Sequence, residues 1–168
     1  MSSPTIAAMY LDALEFLEEE REAFRPFEAL ADLTDEQLGV GVAGPDRWSG
    51  RDLIAHLVAW QASTLEVARE LANHETSRAK EELDRDWDAR GDVINDEITA
   101  TWRALDMAEV RRRFATVPGE LRGYLTVVPE TRWLKNADYL AFFLNETIDH
   151  YNDHRPDLEV ILAAAAAS

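Results

Sequence analysis

The sequence predicts an all-α fold, a four-helix bundle with additional short helices in its connections, over a single domain spanning residues 1–168. Three observations carry this. Apolar residues recur at three- and four-residue spacing in four long stretches. Side chains suited to helix N-caps stand ahead of several of those stretches. The only extended strand-like pattern is YLTVV at 124–128.

The first helix is expected from about Ser3 towards Ala31. Ile6, Tyr10, Ala13, Leu17 and Phe24 share one face, EEERE at 18–22 is solvated, and Pro26 breaks the helix near its end. Thr34 starts a short turn with Gln37 in the capping-box position. Gly44-Pro45 then punctuates the chain, and Ser49 is an N-cap with Asp52 three residues on. Trp48, just ahead of that cap, is placed to staple onto Leu53. The second helix runs to about Asn73 with Leu53, Leu57, Trp60, Thr64, Ala68 and Leu71 inward.

Residues 74–87 are polar and charged and read as a connection, followed by a helix from about Trp87 to Leu105. Asp106 caps the next, from Met107 to about Thr126, which Pro118 should bend or interrupt. The fourth bundle helix starts near Asn136 and reaches about Asp153. Pro156 marks a break before a last short helix, DLEVILAAAAA. Trp133 reads as core and Tyr151 as facing solvent or a partner.

Thirty-three acidic residues against seventeen basic ones give a formal net charge of −16. Such a field repels nucleic acid and anionic lipid, so neither is an expected partner. The one basic cluster, Arg111-Arg112-Arg113, reads as a solvated helix face. The chain has no cysteine, which excludes thiolate ligands and leaves nitrogen and oxygen for any metal. The N-terminus has no basic segment ahead of an apolar run, and no apolar run is long enough to span a bilayer, so a cytoplasmic location is expected.

His150 and His154 are four apart, which stacks two imidazoles on one helix face. At 100° per residue, Tyr139, Phe143, His150 and His154 fall within about 60° of each other. The histidines thus continue an aromatic face into the bundle, with Glu146 at its edge one turn earlier. His56 lies beside Trp60 at the edge of the second helix's apolar stripe. Core histidines, a solvated helix end and a metal site all produce this pattern. In the metal reading, three neutral imidazoles leave an open position, and a divalent cation there lowers the pKa of a bound water to about 7. Glu146, Asp149 or Asp153 would orient a ligand's second nitrogen. Zinc, nickel and iron all suit such a donor set. His74, in the polar NHETS, reads as solvated.

The stretch WSGRDLIAHLVAW at 48–60, joined far downstream by HYNDHRPDL at 150–158, resembles the DinB/YfiT-like superfamily of metal-binding four-helix bundles. The resemblance implies that His56 from the second helix joins the His150–His154 pair from the fourth around one ion. RDWDARGDVINDEITATWRAL at 85–105, together with HYNDHRPDL, is also similar to the ClbS/DfsB branch, which is linked to protection against a reactive genotoxin. The two resemblances imply a metal-dependent hydrolase, or a transferase using a low-molecular-weight thiol, acting on a small electrophile. Glu146 is its candidate acid–base residue, and a homodimer is implied. The alternatives are a non-catalytic bundle that sequesters a small molecule and a homodimeric interaction protein.

Overall fold

A computed structural model of the protein describes residues 9–168. Ser3 and Ile6, expected in the first helix, lie outside the described residues. The helices are α1 (Ala13–Phe24), α2 (Asp35–Leu38), α3 (Gly50–Asn73), α4 (Arg78–Arg103), α5 (Met107–Val127), α6 (Ala137–Leu144), α7 (His150–Asp153) and α8 (Arg155–Ala166). Among the described residues there is no β-strand, only an isolated bridge between Ala43 and Trp48. No helix among them is long and apolar enough to cross a membrane.

Helices α1, α3, α5 and the α6–α7 segment form the bundle, and α4 packs on the outside of α3. The six inward positions expected on α3 are all buried. Local caps start the helices as the sequence predicts. Ser49 and Asp52 form a reciprocal capping box, as do Thr34 and Gln37, and Asp106 and Asn136 cap α5 and α6.

Several boundaries differ from expectation. Helix α1 ends at Phe24, and Pro26 opens a 3-10 segment, Arg25–Asp32, in place of further α-helix. The supposed connection before Trp87 is helical from Arg78, capped by Ser77 and supported by the Lys80–Asp84 pair at 2.8 Å. A polar segment forms helix here because it is rich in good helix formers and needs to bury only one flank. Helix α5 runs through Pro118, since Val110 and Phe114 before it and Leu121 and Leu125 after it are all buried. That packing outweighs the one backbone bond proline removes. YLTVV is the end of this helix.

The core is two apolar clusters. One gathers Phe16, Leu65, Leu71, Leu125, Trp133 and Phe143; the other gathers Phe24, Leu30, Leu53, Leu57, Phe114 and Leu158. A buried polar network joins the four bundle helices. Arg122 of α5 donates twice to Glu20 of α1, at 2.6 and 3.2 Å. The hydroxyl of Tyr151 on α7 donates to Glu20 at 3.0 Å, and Gln61 of α3 donates to Tyr151 at 2.9 Å. Glu20 belongs to the EEERE run expected to be solvated, yet it is 1% exposed. Tyr151, expected to face outward, is fully buried.

Removing Arg122 strands a buried carboxylate. Arg122→Leu is therefore expected to lower unfolding free energy by about 3–5 kcal/mol in urea titration, while Glu20→Gln, which keeps an acceptor for Tyr151, costs less.

Candidate metal centre

A widened turn sets the site. Between α6 and α7, residues Asn145–Asp149 form a π-turn, which holds one residue more than an α-turn. That extra residue turns everything after it back by about 100° relative to a regular wheel. Tyr151 thereby takes the inward place below Phe143 that the regular wheel gives to His150. The histidines swing sideways, half-buried, towards α3. Both differences from the sequence expectation, the buried Tyr151 and the sideways turn of the partly buried pair, have this single cause.

His56, on α3 and 7% exposed, meets them there. The three imidazole centroids lie 4.7–4.9 Å apart with ring planes at 67–81°. One ligand nitrogen from each histidine lies within 4.8 Å of the other two. His56 Nε2 and His150 Nε2 are 2.8 Å apart, while the Nδ1 atoms of both are buried without a partner. The pair alone thus leaves polar atoms unsatisfied, which costs free energy in a buried site. Bonds of about 2.0–2.1 Å to one cation would set the nitrogens about 3.4 Å apart, so the residues fit an ion if the His56–His150 pair opens by about half an ångström and the trio, which spans 4.8 Å, adjusts around it.

His154 stands at the break between α7 and α8, with φ −98° and ψ 5°. Its Nδ1 lies 2.9 Å from Asp157 Oδ2, leaving Nε2 for the cluster. The orienting acid is therefore Asp157, in the first turn of α8, rather than Glu146, Asp149 or Asp153. Its signal in the sequence is an acid three residues after the histidine, at a helix start. Trp48 closes one side. Its ring lies 4.8 Å from His56 and stacks on His154 at 5.6 Å and 23°, and it packs on the apolar cluster that contains Leu53. The Ala43–Trp48 turn holds it there. Gly44 takes φ 68° in that turn and packs against Asp157, where a side chain would be strained. His74 is exposed, as expected.

Two clefts flank the histidines. The first, about 540 Å³, reaches from the trio past Trp60 and Trp87 to Glu146. The second, about 740 Å³, lies beyond Trp48 and Arg103. Helix α4 walls both and leaves helical geometry at Arg90, between its two lining halves.

Burial holds His56 well below its ordinary 6.5, at about 3, with the nearby His150 and His154 adding to the effect. Burial and His154 bring His150 to about 4. Glu146 moves the other way, to about 7, through burial and then the charge of Asp84. Near neutral pH the two histidines are thus uncharged and free to ligate, and Glu146 holds its proton half the time.

These shifts oppose each other in stability. Between pH 4.5 and 6.5 the unfolded chain binds protons on His56 and His150 that the native state lacks, and the native state keeps one on Glu146 that the unfolded chain loses. The unfolded state is ahead by one proton, so these groups make the metal-free protein more stable as pH rises, by about 1.4 kcal/mol per unit. In Glu146→Gln the excess is two protons, and the slope of unfolding free energy measured between about pH 5 and about pH 6 is expected to increase by a similar amount.

The sequence profile of the DinB superfamily matches residues 17–156. No curated protein and no solved structure matches the chain.

Proposed function

This chain belongs to the DinB superfamily, and on that premise we propose that it is a metal-dependent hydrolase of a small electrophilic molecule. The observation that carries the reading is the convergence of His56, His150 and His154 at the head of a cleft. Those three residues would hold the ion. Zinc, nickel or iron bound by three imidazoles supplies Lewis acidity for activating water or polarising the electrophile. The detoxifying role implied by similarity to the ClbS/DfsB branch belongs to the same proposal.

The remaining roles fall to the chain's own residues. Asp157 accepts from His154 and fixes its orientation. Trp48 packs against His56 and His154 on the side of the second cleft and restricts their ring orientations. Glu146 lines that cleft with a carboxyl near its midpoint at neutral pH, so one oxygen can take a proton and later return it. The walls favour water over an anionic thiol as nucleophile. Asp84, Asp88 and Glu146 line the first cleft, and among the described residues the single lysine or arginine lining either cleft, Arg103, is already bidentate on Asp52 at 3.0 Å.

Calorimetric titration of metal-stripped protein with Zn²⁺ or Ni²⁺ is expected to show one ion per chain. His56→Ala and His150→Ala should each abolish tight binding, with strongly non-additive losses in the double variant. Asp157→Asn should weaken binding by about 10–100-fold, and His74→Ala should leave it unchanged. Unaltered affinity in His56→Ala would remove the three-histidine site and the enzyme reading with it. Metal binding without metal-dependent turnover of an activated ester such as p-nitrophenyl acetate would favour sequestration. With turnover, Glu146→Gln is expected to lower kcat by about 10²-fold or more.

A further inference from the structure

The first cleft is built from two kinds of surface, one of carboxyl groups and one of aromatic rings. Among the described residues, three carboxyl side chains line it and no lysine or arginine does. Asp84 pairs with Lys80 at 2.8 Å, but neither Asp88 nor Glu146 has an ion-pair or hydrogen-bond partner among the described residues. Glu146 is half-buried in this state, where a carboxylate without a counter-charge is costly.

Facing these acids is an aromatic wall whose orientation is fixed before any ligand arrives. Trp60 is 6% exposed, and its Nε1 donates to Asn95 Oδ1 at 3.1 Å. Trp87 meets it edge-on, with centroids 5.6 Å apart and planes at 80°. Gly91 lies under the Trp87 ring, where an added Cβ would approach the indole to 3.2 Å. A larger residue there would push the indole out of place. Trp87 keeps 46% of its surface exposed, an unusual state for an indole fixed in this way at the rim of a cavity. Phe142 completes the apolar lining.

Aromatic faces and carboxylates attract the same chemistry, a positively charged ammonium group with an organic surface. The carboxyl groups lining the cleft disfavour an anion beside them, and a neutral molecule leaves the half-buried Glu146 without a partner, while Asp88 stands exposed at the rim. We propose that the first cleft binds an organic cation, a quaternary ammonium or protonated amine, seated against Trp60 and Trp87 with its charge towards Asp88 and Glu146. This names the substrate class of the hydrolase proposed above and rests on that reading for its catalytic meaning. The aromatic and acidic walls themselves do not include the histidines. Among the described residues Asp88 and Glu146 make no hydrogen bond to a histidine, in contrast to Asp157, so neither serves to orient a ligand imidazole.

The test uses choline and its uncharged isostere 3,3-dimethyl-1-butanol, titrated into metal-stripped full-length protein and followed by tryptophan fluorescence and calorimetry. Choline is expected to bind at least tenfold more tightly than the isostere. Trp87→Leu should weaken choline binding at least fivefold. Asp88→Asn and Glu146→Gln should each erode the preference for choline while leaving isostere binding unchanged, with circular dichroism confirming the fold. Equal binding of the two probes, or a preference that survives both carboxyl substitutions, overturns the proposal. Carboxyl substitutions that lower zinc affinity and leave the choline preference intact do the same, since the acids would then serve the metal. A parallel zinc titration keeps the two readings apart. Loss of the choline preference with zinc binding retained sinks only the cation site; absence of zinc binding with the preference retained sinks only the metal reading.

Discussion

Glu20 carries a charge into a place where only Arg122 neutralises it, and the arrangement around that pair constrains every bundle helix. The carboxylate takes two bonds from Arg122 and one from the Tyr151 hydroxyl, which in turn accepts from Gln61. α1, α5, α7 and α3 each contribute one member. Such a pair adds little net stability over an apolar alternative, because desolvation offsets the attraction, but it tolerates no rotation that separates its parts. Tyr151 must point inward for the network to close. With the π-turn preceding it, that requirement sends His150 and His154 sideways to meet His56. The placement of the histidines therefore depends on a polar contact made on the other flank of the same helix.

Local features were legible in the sequence. A cap needs its partner two or three residues away, so Ser49, Asp106 and Asn136 announced their helices, and the inward stripe of α3 came from spacing alone. The histidine trio was legible too, because two members share a helix and the third sits on another apolar stripe. Features that escaped depend on distant partners or altered periodicity. Nothing in EEERE distinguishes Glu20 from its neighbours until Arg122, 102 residues away, lies beside it. A 100° wheel has no means of registering the π-turn, so it placed Tyr151 outside. Trp87 and Asn95 became cleft residues only once the polar segment from Arg78 proved helical and crossed in front of α3.

That crossing helix is attached chiefly at its ends. At its start, Glu70 of α3 accepts from the Ser77 hydroxyl and the Ala79 amide, both at 2.8 Å. At its finish, Arg103 grips Asp52 at the first turn of α3, and Arg51 donates to the carbonyl of Trp102 at 3.1 Å. Between these clamps only Trp102 is fully buried, and the backbone breaks at Arg90. The acidic middle of α4 is tied to α3 by little more than the Trp60–Asn95 hydrogen bond, the Trp60–Trp87 contact and the partly buried Ile98, which leaves much of its inner flank available to line clefts instead of filling them.

Burial ties the centre's readiness to its cost. Desolvation keeps His56 and His150 neutral far below the pH at which an exposed imidazole charges, so a cation arriving near neutrality displaces no proton from either. The same desolvation withholds stability from the metal-free fold in mild acid, because the unfolded chain can protonate these groups and the native state cannot. The two orphaned Nδ1 atoms add to that cost. A ligand that binds only the native arrangement recovers part of it by mass action. The burden falls on a fold whose two apolar clusters close without any ligand, while the Glu20–Arg122 pair with Tyr151 fixes the rotation of the helices around them.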